Sequence, residues 1–186
     1  MRLFIALNLE ATERRRLADA VAPLREAGLP VRWVDPDALH LTLKFLGEVP
    51  GDGVAVVEDV ARRVAASVPP FDLRLGGIGA FPNLQRPRVV WMGVQAPPEL
   101  QRLQSALEAA LVREGFPREE RPYSAHLTLG RLQPGARPYE LRPLQELAGL
   151  VDYSGVLGAR TVDIMRSHLS PRGARYERIA APRLGD

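Results

Sequence analysis

Between Leu3 and Leu9 the chain alternates. Leu3, Ile5, Leu7 and Leu9 fall on one face, the period of a strand with one buried side. The period then lengthens: Leu17, Val21 and Leu24 are helically spaced within 10–27, and Gly28 with Pro30 ends that helix. A short extended piece at 31–34, a turn at Asp35-Pro36-Asp37 and a strand over 39–49 follow. Val54, Val57, Ala61 and Val64 predict a second helix between Gly51-Asp52-Gly53 and Pro69-Pro70. Strands are expected at 71–75 and 88–94, around a glycine- and proline-punctuated loop at 76–87. After Pro97-Pro98, Leu100, Leu103, Leu107 and Leu111 mark a helix closed near Gly115-Phe116-Pro117. A strand over 124–132, a weaker helix within 139–150, and strands at 151–156, 160–169 and 175–181 complete the chain.

The order repeats. A helix, a long strand, a helix and two or more strands occur twice, with no low-complexity linker between the copies. The expectation is a single α+β domain over 1–186, bilobal, with two pseudo-symmetric lobes and a central cleft.

Composition changes this picture little. At 186 residues and 46% apolar content the chain can bury a sizeable core. No apolar run approaches the ~18 residues of a membrane span. The apolar start could mimic a signal peptide, but the run is short and Glu10 with Arg14, Arg15 and Arg16 follows at once, so a first strand and a cytoplasmic location are expected. Cysteine is absent, which removes disulfides and thiol catalysis. Net charge is only +3, yet Lys44 is the sole lysine and the other 24 of the 25 basic residues are arginine. Biased composition or heat adaptation accounts for that more readily than a phosphate-binding surface does.

The candidate chemistry lies in the two long strands. His40-Leu41-Thr42-Leu43 returns as His126-Leu127-Thr128-Leu129, and these tetrapeptides hold two of the three histidines. Strand alternation puts His and Thr on one face and both leucines on the other. Brought together, the strands would offer a proton donor, a proton acceptor and two hydroxyls around one small site. That set suits in-line attack of water on a 2′,3′-cyclic phosphate: one imidazole takes a proton, the other gives one to the leaving oxygen, and Thr42 and Thr128 hold the non-bridging oxygens. Lys44, four residues after His40, is expected on the same face and able to touch phosphate, though a solvated strand-end lysine would have the same spacing. Arg131 has the wrong parity for a regular strand, and Gly130 would permit a bulge that re-aims it into the cleft. Two histidines without carboxylate or thiolate at matching spacing make an incomplete zinc set, and no phosphate-cradling glycine loop precedes the lysine. His168 has no partner motif and is expected to be structural or exposed. Phe4, Phe45, Phe81, Tyr123 and Trp33 are candidates for base stacking or for the core.

The doubled His-x-Thr pattern resembles the two-histidine phosphoesterase superfamily. Within it the chain is similar to the RNA 2′,3′-cyclic phosphodiesterases, also known as 2′-5′ RNA ligases, along its full length. The resemblance rests on Arg2-Leu3-Phe4-Ile5-Ala6, Arg32-Trp33-Val34, the stretch from His40 to Val49, and Gly79-Ala80-Phe81-Pro82. It extends through Pro87-Arg88-Val89-Val90-Trp91, the stretch from His126 to Arg131, and Ser167-His168-Leu169-Ser170 with Gly173 and Tyr176. It implies antiparallel sheets flanked by helices around the cleft, and hydrolysis of terminal cyclic phosphates to 2′-phosphomonoesters without metal or other cofactor. It also implies ATP-independent 2′-5′ joining of RNA ends. Carried over, His40 is the general acid, His126 the general base, and Thr42, Thr128 and Arg131 hold phosphate; sequence symmetry leaves the two imidazole roles exchangeable. Relatives often have proline before the second histidine, where this chain has Ala125, so the approach to that strand is expected to differ. The expected partner is RNA with a cyclic phosphate end, such as a tRNA-derived end, or a small cyclic nucleotide, with no membrane partner and a monomeric state. The alternatives are an enzyme for another cyclic or 2′-5′-linked nucleotide, and a non-catalytic RNA-end binder.

Overall fold

A computed structural model describes residues 1–170 and 173–185 of the chain. Its strands are β1 (Arg2–Asn8), β2 (Val31–Trp33), β3 (His40–Glu48), β4 (Phe71–Phe81), β5 (Val89–Gln95), β6 (His126–Leu132), β7 (Ser154–Ala159), β8 (Asp163–Ser170) and β9 (Gly173–Ala180). The helices are α1 (Ala11–Ala20), α2 (Ala22–Glu26), α3 (Gly53–Ala66), α4 (Pro98–Arg113) and α5 (Arg142–Leu150). Among the described residues the strands form one antiparallel sheet in the order β7-β4-β5-β6-β3-β1-β8-β9, with β2 added beside β6. That order is symmetric about the β6–β3 seam. β3, β1, β8 and β9 make one half, and β6, β5, β4 and β7 the other.

The halves are not consecutive in sequence. β4 and β5 follow β3 in the chain but lie beside β6, while β8 and β9 follow β6 but lie beside β1. Each lobe is therefore completed by strands from the other copy of the repeat, which ties the two together.

The alternation seen at the N-terminus holds. Leu3, Ile5 and Leu7 belong to the large core beneath the helices, whereas Phe4 and Ala6 pack with Met165 in a small cluster on the opposite face. Leu100, Leu103, Leu107 and Leu111 of α4 are fully buried against the same large core.

Several predicted boundaries move. The helix expected at 10–27 breaks at Val21, because Pro23 in the first turn of α2 lacks an N–H and its ring would clash with the carbonyl four residues earlier. The first half of the loop expected at 76–87 is strand: β4 runs on to Phe81, absorbing one extra residue between Leu75 and Ile78 through Gly77 at φ +76°. β7 lies three residues later than expected, at Ser154–Ala159.

Candidate active site

The two His-x-Thr strands meet at the seam, where Leu41 pairs with Leu127 in antiparallel register. Continuing that register sets His40 beside Thr128 and Thr42 beside His126, across a local twofold axis. The paired leucines point into the helix-side core, each fully buried. The histidines and threonines face the other way, into two adjoining cavities. One, about 440 Å³, is lined by His40, Thr42, Thr128 and Arg131; the other, about 580 Å³, by Thr42, His126 and Arg131. Thr42, Phe45 and Arg131 border both, so the two are parts of one cleft.

The imidazoles are held identically. His40 Nδ1 lies 2.8 Å from the Ala38 carbonyl oxygen, and His126 Nδ1 lies 2.8 Å from that of Ser124. A carbonyl oxygen only accepts, so each Nδ1 carries the hydrogen and each Nε2 is the atom left for proton transfer. The anchor is the residue two before the histidine in both copies, so Ala125 does not alter how the second ring is held. Each ring also has aromatic walls. Phe4 lies 4.8 Å and Tyr176 5.1 Å from His40, centroid to centroid; Phe81 lies 4.9 Å and Trp91 6.4 Å from His126. Burial among these neighbours holds the His40 imidazole below its ordinary range, against the opposing pull of the Ala38 carbonyl.

Both strands carry a bulge at the same place, and it decides which side chains reach the cleft. On β3, Ala6 pairs with Thr42 but Ile5 pairs with Lys44, so one extra residue lies between them. Leu43 and Lys44 then both face the helix side, as Ile5 does. Lys44 is thus not on the His40 face as spacing predicted, although with Glu108 it borders the His126 cavity from its helix side. Its side chain is 3% exposed and its Nζ donates to Glu108 Oε2 (2.7 Å) and to the Pro117 carbonyl (2.8 Å). Glu108 Oε1 in turn accepts the Glu119 N–H (2.9 Å). Burial pushes the Glu108 carboxyl upward in pKa, but the Lys44 and Glu119 hydrogen bonds and the charges of Lys44 and Arg118 outweigh it, and the net shift is down.

On β6 the matching bulge falls between Thr128 and Gly130, which pair with Trp91 and Val90. It turns Arg131 onto the His126 face, where its side chain borders both cavities. Glycine at 130 is required by packing, since a Cβ there would lie 2.5 Å from Val31 Cγ1 and 2.9 Å from Trp33 Cε3 of the neighbouring β2. The same logic applies at Gly79, where a Cβ would collide with the Trp91 indole that walls His126. The counterpart of Arg131 on β3 is Phe45, which borders both cavities and is 63% exposed.

Of the other aromatic candidates, Phe4 is buried, Trp33 packs on the core, and Tyr123 is partly buried with its hydroxyl donating to the Thr42 carbonyl (3.0 Å). His168 pairs with Glu177 on the β8–β9 hairpin at 2.9 Å and does not border the cleft cavities. Tyr176 and Trp91 wall the two histidines, yet sequence spacing gave neither a place in the site. Their sole signal was membership of the family pattern, because they sit on β9 and β5, far from either motif in sequence.

One His-x-Thr strand in each half of a pseudo-symmetric antiparallel sheet is the arrangement of a two-histidine phosphoesterase. A crystal structure from Thermus thermophilus superimposes with a TM-score of 0.82 at 29% identity, covering all of this chain and 98% of the other. The crystal structure of Escherichia coli LigT complexed with 3′-AMP superimposes with a TM-score of 0.77 at 27% identity, with 100% and 98% coverage. The model of the 2′-5′ RNA ligase superfamily matches residues 14–151, and the chain belongs to that family. It is 36% identical to the RNA 2′,3′-cyclic phosphodiesterase of Methanothermobacter thermautotrophicus over 99% of both chains. It is 35% identical to that of Archaeoglobus fulgidus, over 95% of this chain and 97% of the relative.

Proposed function

We propose that the chain hydrolyses the 2′,3′-cyclic phosphate at the end of an RNA strand to a 2′-phosphomonoester, without metal. The observation that carries the reading is the doubled anchoring of the imidazoles, each fixed through Nδ1 with Nε2 free, across the Leu41–Leu127 axis. The names of the full-length relatives support the substrate.

In this reading His126 Nε2 takes a proton from water as the water oxygen attacks phosphorus. The P–O3′ bond breaks on the opposite side, and His40, which enters the step as the doubly protonated imidazolium against the lowering effect of its burial, gives its Nε2 proton to O3′. The product carries a 3′-hydroxyl and a 2′-phosphate, and solvent exchange returns both rings to their starting forms. Thr42 and Thr128 donate to the non-bridging oxygens, where charge grows, and Arg131 neutralises it. Phe45, exposed at the edge of the cleft, offers a face for the terminal base.

The test is product analysis. The protein is incubated, in EDTA, with a short RNA ending in 2′,3′-cyclic phosphate, and the product is resolved against 2′- and 3′-phosphate standards. A 2′-phosphate product reduced by about 10²-fold or more in both His40→Ala and His126→Ala is expected. A 3′-phosphate product, inhibition by EDTA, or turnover indifferent to either histidine would overturn it.

A second reading, joining of RNA ends through a 2′-5′ bond, is favoured by one feature. The His126 side of the cleft opens into about 580 Å³ lined by Phe81, Gln104, Arg121 and Tyr123, far more room than an attacking water needs. A 5′-terminal nucleoside placed there would present its hydroxyl to His126 in place of water. Ligation of two RNA ends without ATP, lost in His126→Ala, is the expected result.

A further inference from the structure

A third cavity, about 540 Å³, continues the cleft floor past His40. It shares Ala38 and Tyr176 with the His40 cavity, and Asn8, Arg14, Asp163, Met165 and Arg178 line its far side. The sheet register explains the continuity. Asn8 pairs with His40, Phe4 with Met165, and Met165 with Arg178, so all these side chains share the face that carries the histidines. One step along β9, Tyr176 pairs with Ser167 on that same face.

The cationic groups there differ in availability. Arg160 is occupied by Asp72 and by the Phe71 and Ala159 carbonyls. Arg14 spends Nη1 on the Asp37 carbonyl (2.9 Å). Arg178 is 60% exposed, and its nearest acid is the 1% exposed Asp163 at 4.0 Å. That carboxylate already accepts Asn8 Nδ2 on one oxygen and Thr161 Oγ1 on the other. Glu10 and Asp37 also line the cavity, so it presents guanidinium donors and carboxylate acceptors together.

We propose that this cavity binds the ribonucleotide immediately upstream of the reacting end, with Arg178 and Arg14 on its phosphate and the carboxylates on its 2′-hydroxyl. The inference rests on the hydrolase reading above, in which O3′ leaves toward His40. The ribose attached to O3′ then sits on the His40 side, and the chain continuing from it leaves by the cavity that adjoins His40. A purely basic pocket would suit any anion. The mixture of arginine and carboxylate fits a unit that brings both an anion and a hydroxyl donor, as RNA does and DNA does not.

The test compares 2′,3′-cyclic AMP with a short oligoribonucleotide ending in cyclic phosphate, in wild type, Arg178→Glu and Arg178→Gln. The wild type is expected to favour the oligonucleotide in kcat/KM. Arg178→Glu should raise KM for the oligonucleotide about tenfold with kcat unchanged, and leave both constants for cyclic AMP as they were. Arg178→Gln, which keeps a polar side chain on an exposed site, should lower the slope of log KM against log salt by about 0.7, the loss of one single-strand phosphate contact. A 2′-deoxy substitution at the penultimate residue should raise KM in the wild type. Equal treatment of both substrates by the wild type, or equal effects of Arg178→Glu on both, would overturn the proposal. Failure of the wild type to turn over either substrate would instead overturn the hydrolase reading, and this one with it.

Discussion

Lys44 is the residue for which spacing and structure give opposite expectations, and one substitution separates them. If Lys44 held substrate phosphate, Lys44→Met would leave stability alone and cripple turnover. The structure makes it half of a buried ion pair: Nζ reaches Glu108 and the Pro117 carbonyl, and the side chain is 3% exposed. Removing one member of such a pair strands the other, at a cost of about 3–5 kcal/mol. Glu108 keeps its bond from the Glu119 N–H and is partly accessible, which places the loss near the lower end, about 3 kcal/mol. For a chain of this size each kcal/mol lowers Tm by about 2–4 °C, so a drop of about 6–12 °C is expected. Replacing both charges by apolar groups, Lys44→Met with Glu108→Leu, should recover most of it, because neither charge is then left unpaired. Thermal melts at pH 7 and kcat/KM per folded molecule, measured below every Tm, read the two effects separately. A Lys44→Met protein that melts with the wild type but loses turnover, and is not restored by the second change, would refute the ion-pair assignment.

Other consequences follow from the same geometry. Because the folded state holds His40 below its unfolded pKa of 6.5, the unfolded chain binds the extra proton first, and stability should fall as pH drops below 6.5 toward the folded value. Glu108, held below 4.5, adds a second decline beginning under that pH; urea midpoints followed from pH 8 to 3 should show both, with the upper one absent in His40→Gln. Gly130→Ala should destabilise by about 1–3 kcal/mol through collision with Val31 and Trp33, and reduce activity by moving Arg131; denaturant melts and kcat/KM check the two together. Phe45→Ser, at an exposed site, should leave Tm unchanged and raise KM for an RNA end by about tenfold, the scale of one lost base-stacking contact.

Much of the site was legible because alternation is a short-range rule. His40, Thr42, His126 and Thr128 share a face for the same reason that Leu41 and Leu127 share the other, and nothing remote intervenes across three residues. Beyond the threonines the rule fails on both strands, since a bulge inserts one residue and reverses parity. At Arg131 a glycine announced the possibility. At Lys44 no glycine or proline does, as Leu43 and Lys44 are ordinary strand residues and only pairing with Ile5 and Ala6 reveals the slip. The crossing of β4–β5 and β8–β9 between lobes was hidden for another reason: periodicity describes each strand and says nothing of its neighbour. Tyr176 and Trp91 reach the histidines only through that crossing.

The bulges also leave each copy of the repeat one free choice. Up to the threonine the two strands are interchangeable, and the pairing at Leu41 and Leu127 keeps them so. The first residue to regain the cleft face after the bulge is phenylalanine in one copy and arginine in the other. A nucleotide end is itself unsymmetrical, with a flat base at one extreme and an anion at the other. A duplicated scaffold can meet such a molecule by diverging at one matched position of its cleft face while keeping its paired imidazoles, and under the proposed function Phe45 and Arg131 answer to the substrate's two extremes.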